Sequence, residues 1–142
     1  MAAKGKAVAR HAVEEHRGEL QIRIDAPSLP ALFAEAGRAL AEVMRGTPLE
    51  PPSAWSDEVV VTAEDREALL VEWLNDLVFR SEVSKVLFTD FQITHLTDHQ
   101  LVATIRGTRL ARLRNPVKAA TYHALSIAER DGGVTATVIL DV

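Results

Sequence analysis

Cysteine is absent from the 142 residues, which excludes disulfides, thiol catalysis and thiolate zinc sites. No apolar run approaches the roughly 20 residues that a membrane-crossing helix needs. The opening MAAKGKAVAR carries two lysines but no apolar signal-peptide core, so residues 1–7 are expected to form a loose tail on a cytoplasmic protein. There is no G-x-S-x-G nucleophile elbow and no glycine-rich phosphate loop. Internal repeats and low-complexity segments are missing too. The formal net charge of -4 argues against a protein that coats nucleic acid. Neither DNA nor a membrane is expected as a partner.

What is present fits one soluble domain over residues 8–142: 47% hydrophobic and 25% charged residues, in a chain long enough to bury a core without staples. In residues 18–25 (GELQIRID), Leu20, Ile22 and Ile24 alternate with Glu19, Gln21 and Arg23, the period of a half-buried strand. Residues 13–16 read as strand or loop. Ser28 is a plausible N-cap with Pro30 in the first turn, where its missing N–H costs nothing. Leu29, Leu32, Phe33, Ala36, Leu40, Val43 and Met44 then recur at helical spacing, and Gly46 is placed to end the helix.

Pro48, Pro51 and Pro52 predict an irregular connection over residues 47–53. A β-rich run over 57–63 precedes a second helix opened by Glu64 or Asp65, with Leu69, Leu70, Trp73, Leu74, Leu77 and Val78 directed to the core. Residues 86–93 and 101–105 predict a hairpin turning near Asp98, and a last hairpin turns at Asp131-Gly132-Gly133. After that turn Val134, Ala136, Val138 and Leu140 share one face, and Thr135, Thr137, Ile139 and Asp141 the other. These patterns predict an α+β fold, a single-domain layered arrangement in which a largely antiparallel sheet packs against two amphipathic helices.

Several constellations could carry chemistry. His95 and His99 have the spacing of a helical zinc pair, but they sit in a turn with no acid between them and read as exposed turn residues. His11 has no partner identifiable in the sequence. Residues 106–118 (RGTRLARLRNPVK) hold Arg106, Arg109, Arg112, Arg114 and Lys118 with no acid, in a segment that reads as loop. Such a run either pairs with phosphates or an acidic partner, or is a solvated face. Tyr122 and His123 are strand neighbours that cannot both point inward, and the simplest reading is a core tyrosine with an exposed histidine. If the first strand pairs with the last, Glu19 and Asp141 could supply oxygen ligands to Mg²⁺, Ca²⁺ or Mn²⁺; otherwise they are unrelated solvent-facing acids.

The chain resembles the archease family over nearly its whole length beyond the N-terminal tail. The VKAATYH of residues 117–123 resembles the family's VKAxTYH signature and is followed at the right distance by VILDV over 138–142. HRGELQIRI, from His16, is similar to the HTADxGI strand, SLPALFAEAG to the start of the family's first helix, and Leu69-Leu70 with Trp73-Leu74 to its LLxxWL helix. The resemblance implies a small, non-enzymatic partner of an RtcB-type RNA ligase, which joins RNA ends in tRNA splicing using GTP and a divalent metal. Such a partner promotes guanylylation of the ligase and its multiple turnover, and meets RNA only through the ligase. The resemblance also implies a divalent-metal site (Ca, Mg or Mn) at Glu19, Asp141 and the backbone oxygen of Val142. Lys118 is implied as a contact to a phosphate or carboxylate of the partner, with His123, Arg112 and Arg114 as further candidates. Glu19 stands where the family has Asp, one methylene longer, and the loop before VKA is basic where relatives commonly carry acids.

Two other functions remain open at this stage. Glu19, Asp141, Lys118 and His123 could form a metal-dependent phosphoryl-transfer or hydrolase site. The basic segment could instead serve a metal-independent, chaperone-like adaptor for RNA-modifying enzymes.

Overall fold

The computed structural model describes residues 8–48, 55–113 and 117–142. The predicted tail over residues 1–7, most of the proline-rich connection and Arg114 lie outside them. In chain order the elements are β1 (Arg10–His16), β2 (Glu19–Ala26), α1 (Leu29–Met44), β3 (Gly46–Pro48), β4 (Trp55–Thr62), α2 (Arg66–Ser84), β5 (Val86–Leu96), β6 (Gln100–Leu113), β7 (Ala119–Arg130) and β8 (Gly133–Asp141).

The fold is α+β with antiparallel strands, but the strands form two sheets instead of the single one expected. The first has the order β1-β2-β8-β7. In the second, β6 is the hub: β5 and β4 pair with it over most of its length, and β3 pairs with its end. Each helix touches both sheets, α1 through β2 and β5, α2 through β7 and β4.

Both helices begin where side chains permit. Ser28 accepts from the Ala31 N–H, and Asp65 from the Ala68 N–H, each satisfying a donor the first turn leaves unpaired. The end of α1 differs from expectation: Arg45, at φ 42°, is its cap, and Gly46 already belongs to β3. Thr47 and Pro48 therefore sit in a short strand, because the end of β6 offers them a pairing edge.

β6 also runs further than its sequence suggested. Arg106, Arg109 and Arg112 lie on a strand and not in a loop, since pairing with β5 and β3 holds the backbone extended as far as Leu113. Close pairing also explains Gly107: a Cβ there would sit 2.2 Å from the Leu87 carbonyl oxygen. The final hairpin turns as expected, with Asp131 (φ 22°) and Gly132 (φ 79°) both at the positive φ that tight hairpin turns favour.

The core gathers Ile22 and Ile24 of β2, Leu32, Phe33 and Leu40 of α1, Leu69 to Leu77 of α2, Leu101 and Ile105 of β6, and Val138 and Leu140 of β8. Trp73 is fully buried, as predicted, and donates its indole N–H to the Phe33 carbonyl at 2.9 Å. Among the described residues no helix is long and apolar enough to cross a membrane.

Candidate functional site

Three separate stretches of sequence meet at one end of the first sheet. Glu19, which opens β2, is paired with Asp141, which closes β8, and Asp141 is in turn opposite Ala119 at the start of β7. His16 of β1 lies opposite Glu19 on the other side. His16, Glu19, Asp141 and Ala119 thus form one row across all four strands.

The hydrogen bonds fix how close the two acids stand. Val142 donates its N–H to the Gly18 carbonyl at 3.3 Å, which makes 18 and 142 a hydrogen-bonded pair. By alternation Glu19 and Asp141 form a non-hydrogen-bonded pair, the type in which Cα atoms approach to about 4.5 Å and side chains lie closest. Leu140 is buried and Leu20 packs against the core, so both carboxylates occupy the outer face.

Two like charges directly opposite one another destabilise a sheet. Among the described residues neither acid is held in an ion pair by a lysine or arginine. The donors offered here are hard oxygens, two side-chain carboxylates and the main-chain oxygen of Val142, a set suited to Ca²⁺, Mg²⁺ or Mn²⁺ with water completing the shell. Among the described residues no group of three or more His, Cys, Asp or Glu side chains is arranged to hold a metal ion. Any cation held at this edge would need main-chain oxygen and water beyond its two carboxylates.

Lys118 is held beside this row by its backbone, whose N–H donates to the Asp141 carbonyl at 2.8 Å. Its neighbour Val117 is fully buried and anchors the segment, while the Lys118 side chain is exposed. His123 lies further along β7, outside the row. Between the pairs Thr121–Ile139 and Ser126–Thr137, four residues of β7 face one of β8, a wide bulge that includes Ala124 at φ 54°. The bulge corrects the reading of Tyr122 as a core residue: both Tyr122 and His123 are exposed, because alternation fails where the strand arches out. The Tyr122 hydroxyl donates to Glu72 at 3.2 Å. Partial burial, and then the Glu72 carboxylate, push the phenol above its usual value. Arg112 is exposed on the second sheet, and no strand pairing joins it to the row.

The archease protein family matches residues 11–142 of the sequence. The chain belongs to the archease family. It is 34% identical to the protein archease of Methanothermobacter thermautotrophicus over 122 residues, covering 80% of this chain and 85% of that one. The archease of Methanopyrus kandleri is 30% identical over 137 residues, 90% of this chain and 96% of the relative. The fold is also similar to the solution structure of Methanobacterium thermoautotrophicum protein 1598, with a TM-score of 0.75 and 30% identity over 93% of this chain and 98% of the other. The crystal structure of an archease and possible chaperone from Thermotoga maritima shares the fold at a TM-score of 0.67 and 20% identity, covering 91% of this chain and 94% of that one.

The archease fold brings together two groups of residues that the sequence did not connect. Asn75 of α2 donates to the Ala120 carbonyl at 3.2 Å and accepts from the Ala120 N–H at 2.7 Å. Its amide stands in for a neighbouring strand and steadies the segment carrying Lys118. An asparagine amid apolar helical positions was the available signal, since Asn is a poor helix former unless its amide is used.

His11 of β1 is bonded through Nδ1 to Glu35 at 2.6 Å and through Nε2 to Glu42 at 3.0 Å, both on α1. Arg38 completes the cluster with 2.8 Å to Glu35. Burial opposes charge on His11, but the hydrogen bonds and charges of Glu35 and Glu42 outweigh it and raise its pKa above the ordinary 6.5. Burial likewise opposes charge on Glu35, and His11 and Arg38 outweigh it, lowering its pKa below the ordinary 4.5.

A raised histidine stabilises fully below its unfolded value and loses that contribution as pH rises through its folded value. A lowered carboxylate stabilises above its unfolded value and loses the contribution as pH falls through its folded one. Both contributions are therefore complete between pH 4.5 and 6.5. His11→Asn is expected to cost about 2 kcal/mol in that window, with the gap to wild type closing above it. Urea unfolding across pH 4 to 9 measures this, and a gap that widens with rising pH would contradict it.

Proposed function

We propose that this chain is an accessory protein, not itself an enzyme, that promotes guanylylation and multiple turnover of an RtcB-type RNA ligase in cytoplasmic tRNA splicing or RNA repair. The observation that carries the reading is the direct opposition of Glu19 and Asp141 at a sheet end, with Lys118 bonded to the same rim. An accessory role also suits the description of the Thermotoga relative as a possible chaperone.

In this reading Glu19, Asp141 and the Val142 carbonyl hold a divalent cation, which supplies positive charge at an otherwise acidic edge. That charge offsets the repulsion between the paired carboxylates and orders the rim. Lys118, exposed on a backbone fixed by Asp141, presents an ammonium group to a phosphate or carboxylate of the ligase's nucleotide site. Arg112, Arg114 and His123 are further contacts to the same partner, and RNA is met only through the ligase.

The test is ligase assayed at catalytic amount with excess RNA, with and without this protein. Several RNAs joined per ligase are expected only in its presence, and equal turnover without it would contradict the proposal. The cation is tested separately by calcium or manganese titration followed by thermal unfolding. Wild type is expected to gain about 2.7 kcal/mol at about 100 times Kd, and Glu19→Gln to lose most of that gain. An identical response in both proteins would remove Glu19 from the site.

A further inference from the structure

Strand β7 lies at an edge of the first sheet, and its bulge leaves Ala119, Ala120 and Thr121 as the residues paired with β8 beside Lys118. These pairings and the bond from Lys118 to Asp141 are a slender hold, since strand ends with few partners open locally most easily. The main-chain groups of successive strand residues point to alternate sides. Asp141 turns its carbonyl to β7, where it receives the Lys118 N–H, so the main chain of Leu140 turns to β2 and that of Ala120, opposite Leu140, turns outward.

Helix α2 meets those outward groups. Asn75 donates to the Ala120 carbonyl at 3.2 Å and accepts from its N–H at 2.7 Å, in part-buried contacts that replace the strand missing from this side. Three residues earlier on the same helix face, Glu72 accepts from the Tyr122 hydroxyl at 3.2 Å, but that contact is exposed and single. Of the two, the paired bonds of Asn75 are the stronger hold. Their mount is rigid, since Trp73, Leu74 and Leu77, which flank Asn75 on α2, are at most 1% exposed.

We infer that Asn75 is a positioning residue: its amide holds the start of β7 against α2 and so fixes where Lys118 stands beside the acidic row. Lys118 is two residues from this anchor, with its side chain exposed. The amide oxygen and nitrogen of Asn75 are both engaged by Ala120, so Asn75 acts through Lys118 and not by touching the partner. Small displacements of a contacting group cost activity out of proportion to the bond that held it. The consequence for activation rests on the ligase reading of Lys118; the hold on the backbone does not.

Asn75→Ala removes both bonds, whereas Asn75→Asp keeps the size and the acceptor but sets a carboxylate against the Ala120 carbonyl. Both are measured well below their own melting temperatures. The amide to follow is that of Lys118, whose bond to Asp141 neither substitution touches. Its hydrogen exchange is expected to speed roughly tenfold in both variants, the size of one hydrogen bond's net contribution, with exchange in β2 unchanged. In the ligase assay, both variants are expected to lower the turnover reached at saturating protein at least threefold. A merely destabilised protein would reach the wild-type plateau at higher concentration. Unchanged exchange at Lys118 would overturn the inference, as would a wild-type plateau. Were wild type itself to add no turnover, the ligase reading would fail, and exchange at Lys118 alone would decide the role of Asn75.

Discussion

Trp73→Ala is expected to lower the free energy of unfolding by about 3–5 kcal/mol, the largest loss of any single substitution considered. The indole is fully buried and joins three elements. It sits on α2, donates to the Phe33 carbonyl of α1, and meets the Phe91 ring of β5 edge-on, with centroids 5.9 Å apart and planes at 79°. Truncation leaves a cavity at the junction of both helices with the second sheet and unpairs part of a buried carbonyl. Against a total stability of about 5–15 kcal/mol for a domain of this kind, that loss removes a large share. Trp73→Phe separates the two contributions: it keeps most of the ring and forfeits the hydrogen bond, for an expected cost of about 1–3 kcal/mol. Urea denaturation of both variants measures the difference, and a Trp73→Ala cost below about 1 kcal/mol would contradict the packing.

Local patterns carried much of this fold. Leu20, Ile22 and Ile24 alternate inward along β2, Ser28 and Asp65 cap the helices, and the Asp131-Gly132 turn is where its chemistry places it. These features depend on neighbours within a few residues, so a single sequence displays them. The division into two sheets does not, because it depends on which strands find each other across the chain. The same holds for the basic run. Arg106, Arg109 and Arg112 give no period-2 signal, and tertiary pairing with β5 and β3 makes them a strand nonetheless. Tyr122 was misread for a related reason, since strand alternation assumes an unbroken register and the bulge over residues 122–125 interrupts it.

The site divides along the same line. Glu19, Lys118 and Asp141 could be singled out by kind and by resemblance, and the β2–β8 register brings the two acids face to face. The cluster of His11 with Glu35 and Glu42 spans 24 and 31 residues and had no local signature. It ties edge strand β1 to α1, and so helps fix the sheet whose far end carries the acidic row.

The second large effect concerns function. Asp141 contributes both a carboxylate opposite Glu19 and the carbonyl that receives the Lys118 N–H, but only the carboxylate is lost in Asp141→Ala. The main-chain bond remains, and because residue 141 is exposed the fold is expected to stay intact. Any loss of the proposed activation then reports on the carboxylate itself. Lys118→Ala removes the ammonium in the same way while leaving its backbone bond in place.

The most direct measurement is the number of RNAs joined per ligase molecule in the presence of wild type, Asp141→Ala or Lys118→Ala, each first shown to melt like wild type. The acidic row and its lysine, if they are the working end of the protein, predict that both variants lower turnover at least tenfold, toward the level of ligase alone. Full turnover with Asp141→Ala would contradict that assignment.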